Sequence, residues 1–263
     1  MTRYPTRRRA LKHLRASLVW VSAFFASACL GQPTDTQFEF DDEAAISVLF
    51  IGNSLTYSND LPGMLTALIE DAGLGPAQIE SFASPNYGLE DHWVLGNARE
   101  AIGLGPWDVV VLQQGPSATE GRPSLLEYSQ LFAEEAAVVG ARTALYMVWP
   151  SAAREFDFDG VAESYTMAAE LVSGLLFPVG EAWRLAWDRD PDLALYGPDG
   201  FHPTEPATYL AAMVMFEQMV NRSPIGLPAE IQLASGNVLG VPNDVAMMLQ
   251  EVAVEANAAF ALP

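Results

Sequence analysis

Three residues of this chain have the types and spacing that acyl chemistry needs: Ser54, Asp199 and His202. A serine hydroxyl is a weak nucleophile and becomes useful only beside a base, usually histidine. Past residue 28 the chain offers two histidines, His92 and His202. His202 stands three residues after Asp199 in Tyr196-Gly197-Pro198-Asp199-Gly200-Phe201-His202-Pro203-Thr204. A carboxylate at that offset can accept a hydrogen bond from the imidazole and set its tautomer. The glycines and prolines around the pair mark an irregular loop. Ser54 lies far upstream, in Gly52-Asn53-Ser54-Leu55-Thr56, so only the fold can bring it to the histidine.

The elements that must position these residues follow from the patterns around them. Residues 46–51 are almost continuously apolar, as a strand covered on both faces requires. Gly52 interrupts the run, and Asn53-Ser54 make a tight turn. A helix is expected from Asp60 to residue 72, because Leu61, Met64, Leu65, Leu68 and Ile69 form one apolar stripe. Asp60 suits its N-cap, and Pro62 fits a first turn where its missing N–H has no helical partner. Ser54 would then sit at a strand's carboxyl end, near unpaired N–H groups and a positive helix end. Further strands are expected at 78–83, 108–112, 143–148 and 175–179. Helices are expected at 89–102, 124–139, 161–173 and 181–187, then from Glu205 through Phe216, and at 244–260. This alternation predicts an α/β fold with a central parallel sheet of about five strands and helices on both faces. Ligands of such sheets bind where strand carboxyl ends converge, which is where the serine turn and the histidine loop belong.

GNSLT after a buried strand, together with DGFHP late in the chain, resembles the SGNH (GDSL-type) hydrolase superfamily over most of residues 46–220. The resemblance implies a flavodoxin-like three-layer α/β/α sandwich, with Ser54 as nucleophile, His202 as base and Asp199 as its acidic partner. Asn53 stands where aspartate is more usual. Gly88, in Asn86-Tyr87-Gly88-Leu89, matches a second-block glycine whose backbone N–H joins that of Ser54 in an oxyanion hole. The third block departs from the pattern. The superfamily places an asparagine after the third strand, whereas this chain reads Leu112-Gln113-Gln114-Gly115-Pro116-Ser117. A glutamine amide can donate the same bond from a longer side chain, and Gln113 and Gln114 are both open for that role. Residues 45–263 read as one hydrolase domain, in which 222–263 exceed what many members need and stand as a C-terminal decoration.

The implied activity is hydrolysis of small acyl esters through an acyl-enzyme, with no metal and no cofactor. Carbohydrate deacetylation suits a protein that faces outward, and lipid and aryl esters are also open. Two other readings compete. One is a non-catalytic, surface-anchored carbohydrate-binding protein on the same fold, which the missing third-block asparagine favours. The other is a metal-dependent hydrolase built on Asp91, His92, Asp199 and His202. His92 itself reads as a structural or substrate-side residue near the second block. Trp149, Trp183 and Trp187 read as core aromatics, with Trp149-Pro150 having the better claim to a cleft because it follows a strand.

The first 28 residues carry six basic side chains and no acidic one, then an apolar run too short to span a membrane comfortably. They read as an export signal. Thr6-Arg7-Arg8-Arg9-Ala10-Leu11-Lys12 resembles a twin-arginine signal with Ala10 in the usual phenylalanine place, and an ordinary charged start is the other reading. Cys29, the only cysteine, ends Ala26-Ser27-Ala28-Cys29, which resembles a bacterial lipobox and equally an A-x-A cleavage site. A lone cysteine at that position favours lipidation, so membrane attachment is expected only through Cys29. Residues 29–44 read as an acidic tether. A single cysteine excludes an internal disulfide framework and a cysteine zinc site. Without the leader the chain has seven arginines, no lysine and 33 acidic residues, a net charge of −26. Such a surface repels nucleic acid and anionic membrane.

Overall fold

The computed structural model describes residues 40–262, all of which belong to one compact unit. The export signal, Cys29 and the tether as far as residue 39 lie outside the described residues. Strand β1 (Ile46–Gly52) is buried along its whole length, as its apolar run demands. The chain continues through a one-turn helix α1 (Ser54–Tyr57), a 3-10 turn (Ser58–Asp60) and helix α2 (Leu61–Asp71). Asp60 caps α2 by accepting from the Gly63 N–H, and the expected stripe of Leu61, Met64, Leu65, Leu68 and Ile69 is buried. Next come β2 (Ala77–Ala83), α3 (Leu89–Leu95), α4 (Asn97–Leu104), β3 (Val109–Leu112) and α5 (Arg122–Val138). They are followed by β4 (Arg142–Tyr146), a 3-10 turn (Ala152–Asp157), α6 (Phe158–Val172), β5 (Leu175–Phe177) and α7 (Val179–Arg189). Past the histidine loop lie α8 (Glu205–Val220), β6 (Glu230–Gln232), β7 (Val238–Gly240) and α9 (Asn243–Ala259).

The sheet is parallel throughout and ordered β2-β1-β3-β4-β5, the flavodoxin-like topology. Helices α3 to α6 pack together as one layer, and α2, α7, α8 and α9 pack together as the other. Ile51 of β1 lies opposite Leu112 of β3, so the loops after these two strands leave the sheet side by side. That is the point where the strand order reverses, and it brings Asn53-Ser54 next to Gln113-Gln114.

Three expectations need correction. The helix expected over 89–102 is two helices, because Gly96 takes a left-handed conformation (φ 84°) and its N–H closes α3 on the His92 carbonyl. The antiparallel ribbon of β6 and β7 was not foreseen, since its strands are short and mostly exposed. Helix α7 begins at Val179, directly after β5, and runs longer than the expected 181–187. The segment beyond residue 221 lies against the body, as its apolar stripe predicts. Leu249, Val252, Ala253 and Ala256 of α9 pack over α8, whose residues are buried almost all round. No helix among the described residues is long and apolar enough to cross a membrane.

Candidate active site

The turn that carries Ser54 is fixed from beneath by a closed set of buried hydrogen bonds. Asn53 caps α1, its Oδ1 accepting from the Leu55 N–H at 3.1 Å. The Gln113 side chain, fully buried at the end of β3, completes the set. Its Oε1 accepts from the Asn53 N–H (2.8 Å) and from Thr56 Oγ1 (2.9 Å). Its Nε2 donates to Asn53 Oδ1 (3.0 Å) and to the Gln114 carbonyl (2.6 Å). The reverse amide orientation would set Nε2 against the Asn53 N–H, donor to donor, so the assignment is determined by its partners. Gly52 leaves room for this arrangement, because a Cβ there would overlap Thr56 Oγ1 and Gln113 Oε1. Ser54 starts α1, so its own N–H has no helical acceptor.

The loop bearing Asp199 and His202 is built differently. Asp199 Oδ1 accepts from the N–H groups of Phe201 and His202, both at 3.0 Å, which folds the loop around its carboxylate. Asp199 Oδ2 meets His202 Nδ1 at 2.5 Å, and His202 Nε2 meets Ser54 Oγ at 2.9 Å. The hydrogen bond to His202, aided by those two backbone N–H groups, pulls the Asp199 carboxyl down to about 2. An ionised Asp199 can only accept, so Nδ1 carries a proton and Nε2 of a neutral ring is left to accept from the Ser54 hydroxyl. Both side chains are open to solvent, His202 at 41% and Asp199 at 52% exposure.

Neighbouring segments hold the loop in place. Trp149 Nε1 donates to the Phe201 carbonyl (2.9 Å), the Ala152 N–H to the Gly200 carbonyl (2.8 Å) and the Tyr196 hydroxyl to the Pro150 carbonyl (2.7 Å). From the other side, Asn59 Nδ2 donates to the Pro203 carbonyl (3.0 Å) and to Thr208 Oγ1 (2.9 Å). Asn59 adopts φ 50°, a left-handed conformation that asparagine tolerates better than most residues. Sequence reasoning missed Asn59 and Trp149 as supports for the loop. The Asn59-Asp60 pair ahead of α2 was the one visible signal, because such residues favour turns.

The expectation that Gln113 or Gln114 supplies an oxyanion donor is not met here. Both amide hydrogens of Gln113 are engaged as described. Gln114 Nε2 donates to Ser117 Oγ (2.8 Å) and the Gly121 carbonyl (3.1 Å), while its Oε1 accepts from the Leu89 N–H. Gly88, the expected second-block glycine, is the N-cap of α3, and its N–H donates to Asp91 Oδ2 at 2.8 Å. Among the described residues Asn53 Nδ2 has one hydrogen bond, to the Tyr87 carbonyl at 2.9 Å, and therefore one further hydrogen.

His92 is buried and directs Nε2 to the Gly52 carbonyl at 2.7 Å. Burial pushes its pKa down, against the opposing pull of that carbonyl and of Asp91. Among the described residues no three His, Cys, Asp or Glu side chains come together as metal ligands, so Asp91, His92, Asp199 and His202 do not form a cluster. Trp149 and Trp183 are fully buried and stacked, with centroids 3.8 Å apart, and Trp187 meets Trp183 edge-on. A cavity of about 660 Å³ near Arg142 and Phe260 lies at the amino ends of β4 and β5, the opposite edge of the sheet.

No family model and no curated protein sequence matches the chain. Solved structures do. A candidate SGNH hydrolase from Slackia heliotrinireducens is 26% identical with a TM-score of 0.58, covering 66% of this chain and 98% of its own. A DUF4886 family protein from Bacteroides uniformis has a TM-score of 0.65 at 18% identity, covering 81% of this chain and 95% of its own. An acetyl xylan esterase has a TM-score of 0.51 at 15% identity, covering 63% and 96%. The structural neighbours are thus SGNH and GDSL-like hydrolases and esterases, and this chain has their fold.

Proposed function

We propose that this chain is a serine ester hydrolase acting on small acyl esters, with Ser54 as nucleophile, His202 as general base and Asp199 as the residue that orients the imidazole. One observation carries the reading: the unbroken run of hydrogen bonds from Ser54 Oγ through His202 to Asp199, assembled from loops 148 residues apart. As Oγ attacks the ester carbonyl, its proton passes to Nε2, and the imidazolium is held against Asp199. The carbonyl oxygen becomes an oxyanion beside the Ser54 N–H, with the free hydrogen of Asn53 Nδ2 as a second donor. Gly88 can contribute only after Asp91 turns away from its N–H. Collapse expels the alcohol, which takes the proton from Nε2. Water then attacks the acyl group, giving its proton to the same nitrogen, and Ser54 leaves with that proton as the acid departs. No step calls for a metal or cofactor. Deacetylation of carbohydrate is the substrate we favour, supported by the acetyl xylan esterase among the structural neighbours. The leader and Cys29 support an exported protein, anchored through a lipid on Cys29 or released.

A second reading, a carbohydrate-binding protein without catalysis, gains from one observation. Three expected oxyanion donors, Gly88, Gln113 and Gln114, are engaged within the protein. A fluorophosphonate probe separates the two readings. An activated Ser54 is expected to be labelled and to be mapped by mass spectrometry, with labelling lost on pre-acidification. An unlabelled Ser54 in folded protein would move the assignment to the binding reading.

A further inference from the structure

We propose that Asn59 is the positioning residue that holds His202 at bonding distance from Ser54, by tying the nucleophile's own segment to the loop that carries the base. This role rests on the ester-hydrolase reading, since it serves the reaction assigned to the same pair. The ties from Trp149, Ala152 and Tyr196 join the histidine loop to residues that follow β4, and none of them reaches the serine turn. They hold the loop without setting its distance from Ser54. Among the described residues, segments 53–60 and 196–208 are joined by three side-chain hydrogen bonds. One is the contact between Ser54 and His202 itself, and the other two come from the amide of Asn59.

That amide is a short lever between the two halves of the site. Asn59 stands just beyond the single turn of α1, and Ser58 Oγ donates back to the Ser54 carbonyl at 2.6 Å. One acceptor of Asn59 Nδ2, at 3.0 Å, is the carbonyl of Pro203, the residue directly after the base. The other, at 2.9 Å, is Thr208 Oγ1 on α8, which gives its own hydrogen to the Thr204 carbonyl and so accepts from Asn59. Turning the amide over would set Oδ1 against the Pro203 carbonyl, acceptor to acceptor, so both amide hydrogens are committed to this junction. The backbone is bent to deliver them. Asn59 (φ 50°, ψ 26°) and Asp60 (φ 51°, ψ 52°) are consecutive left-handed residues, and neither is glycine. Left-handed backbone is costly for a residue with a Cβ and is usually met singly. Such strain persists where the surroundings over-determine it, and it clusters at active sites. Here the surroundings are the two bonds of Asn59 and the cap that Asp60 makes on Gly63, where an added Cβ would lie 2.5 Å from the Asp60 carboxylate.

The test compares the full-length parent with Asn59→Gly and Asn59→Asp. Glycine keeps the left-handed turn and removes the amide, whereas aspartate keeps the size and the turn but removes both donors. Active sites are counted by fluorophosphonate titration, so that misfolded protein does not enter the rate. Misplacing reacting groups by about 1 Å can cost on the order of a hundredfold. For both variants kcat per titrated site on a short acyl ester is therefore expected to fall by about tenfold to a hundredfold, with KM little changed. A merely structural role would lower the melting temperature and the number of titrated sites and leave kcat per site alone. A second readout needs no turnover: the nitrogen NMR shift of His202 Nε2, with Ser54→Ala as the reference for a lost contact. Both variants should move from the parent's shift toward that reference. An unmoved Nε2 shift, or a kcat per site within about twofold of the parent in either variant, would overturn the assignment. If the parent itself is unlabelled and inert toward every ester, the hydrolase reading falls, and the Nε2 shift alone decides whether Asn59 sets the contact.

Discussion

At the end of β1 the backbone around Ser54 is gripped by buried groups, whereas the loop carrying Asp199 and His202 stands in solvent and is tied from its flanks. Gln113 is fully buried and makes four hydrogen bonds, three of them to the turn on the neighbouring strand. Asp199 is more than half exposed and organises its loop through bonds to residues two and three positions away. The first arrangement is part of the core, so disturbing it should cost stability as well as rate. The second is local and solvated, so disturbing it should cost rate with little loss of stability.

The largest expected effect is on Ser54→Ala, which removes the nucleophile and little else. We expect kcat on a short acyl ester to fall roughly a thousandfold or more, with the melting temperature unchanged. Activity within tenfold of the parent would break the reading of the whole site.

Asp199→Asn comes next. The amide can no longer hold the imidazole in the tautomer that accepts from Ser54, so a loss of roughly a hundredfold or more is expected, with only a small loss of stability because the carboxylate is exposed. The pH profile sharpens this. Because Asp199 is held at about 2, it stays ionised across the acid limb, and its contribution is lost only as pH falls toward that value. Asp199 should therefore add no ionisation of its own to the acid limb of kcat/KM until the pH nears its low value. An acid limb that Asp199→Asn moves would show that the carboxylate titrates within it.

Gln113→Ala tests the other side of the contrast. It leaves the buried Asn53 N–H and the Thr56 hydroxyl without their acceptor, at a cost of about 1–3 kcal/mol for each group left unsatisfied. A fall in melting temperature is expected together with a loss of kcat. Loss of kcat with unchanged stability would instead show that the amide acts on the reaction directly. Trp149→Phe should lie between the two, slowing turnover several-fold by releasing the Phe201 carbonyl while the ring keeps its place in the core; unchanged kcat would show that the loop holds itself.

The sheet was legible because buried parallel strands are written as short apolar runs, and β1 and β3 are nearly pure examples. The Asp199–His202 contact was legible because it is local, a matter of three residues. The role of Gln113 was not, because a side-chain amide that satisfies a turn 60 residues away leaves no local trace. Sequence pointed to the right two glutamines and to the wrong face of their chemistry, since an amide can serve a backbone or a substrate with the same atoms. The break at Gly96 was hidden for a related reason. A glycine inside an apolar stripe is compatible with one helix or two, and the left-handed cap appears only in three dimensions.

The smallest expected effect concerns His92, which belongs to the buried side although it is a titrating group. Its Nε2–H donates to the Gly52 carbonyl, directly beneath the serine turn. Burial outweighs that carbonyl and Asp91, which both favour the charged ring, so the His92 pKa lies below the ordinary histidine value of about 6.5. The sign follows from proton counting. Between the lowered folded value and 6.5 the unfolded chain binds more protons than the native one, so stability rises with pH. The contribution of His92 is complete above about 6.5 and declines as the solution is acidified below it. Melting curves of the parent and of His92→Gln, recorded from pH 8 to pH 5 at fixed ionic strength, separate the effect of His92 from the titration of the many surface carboxylates. The parent's advantage should shrink steadily as the pH falls across that window. An advantage that grows on acidification would mean that His92 is charged in the folded state and paired with Asp91, and the turn beneath Ser54 would then respond to pH as openly as the loop opposite.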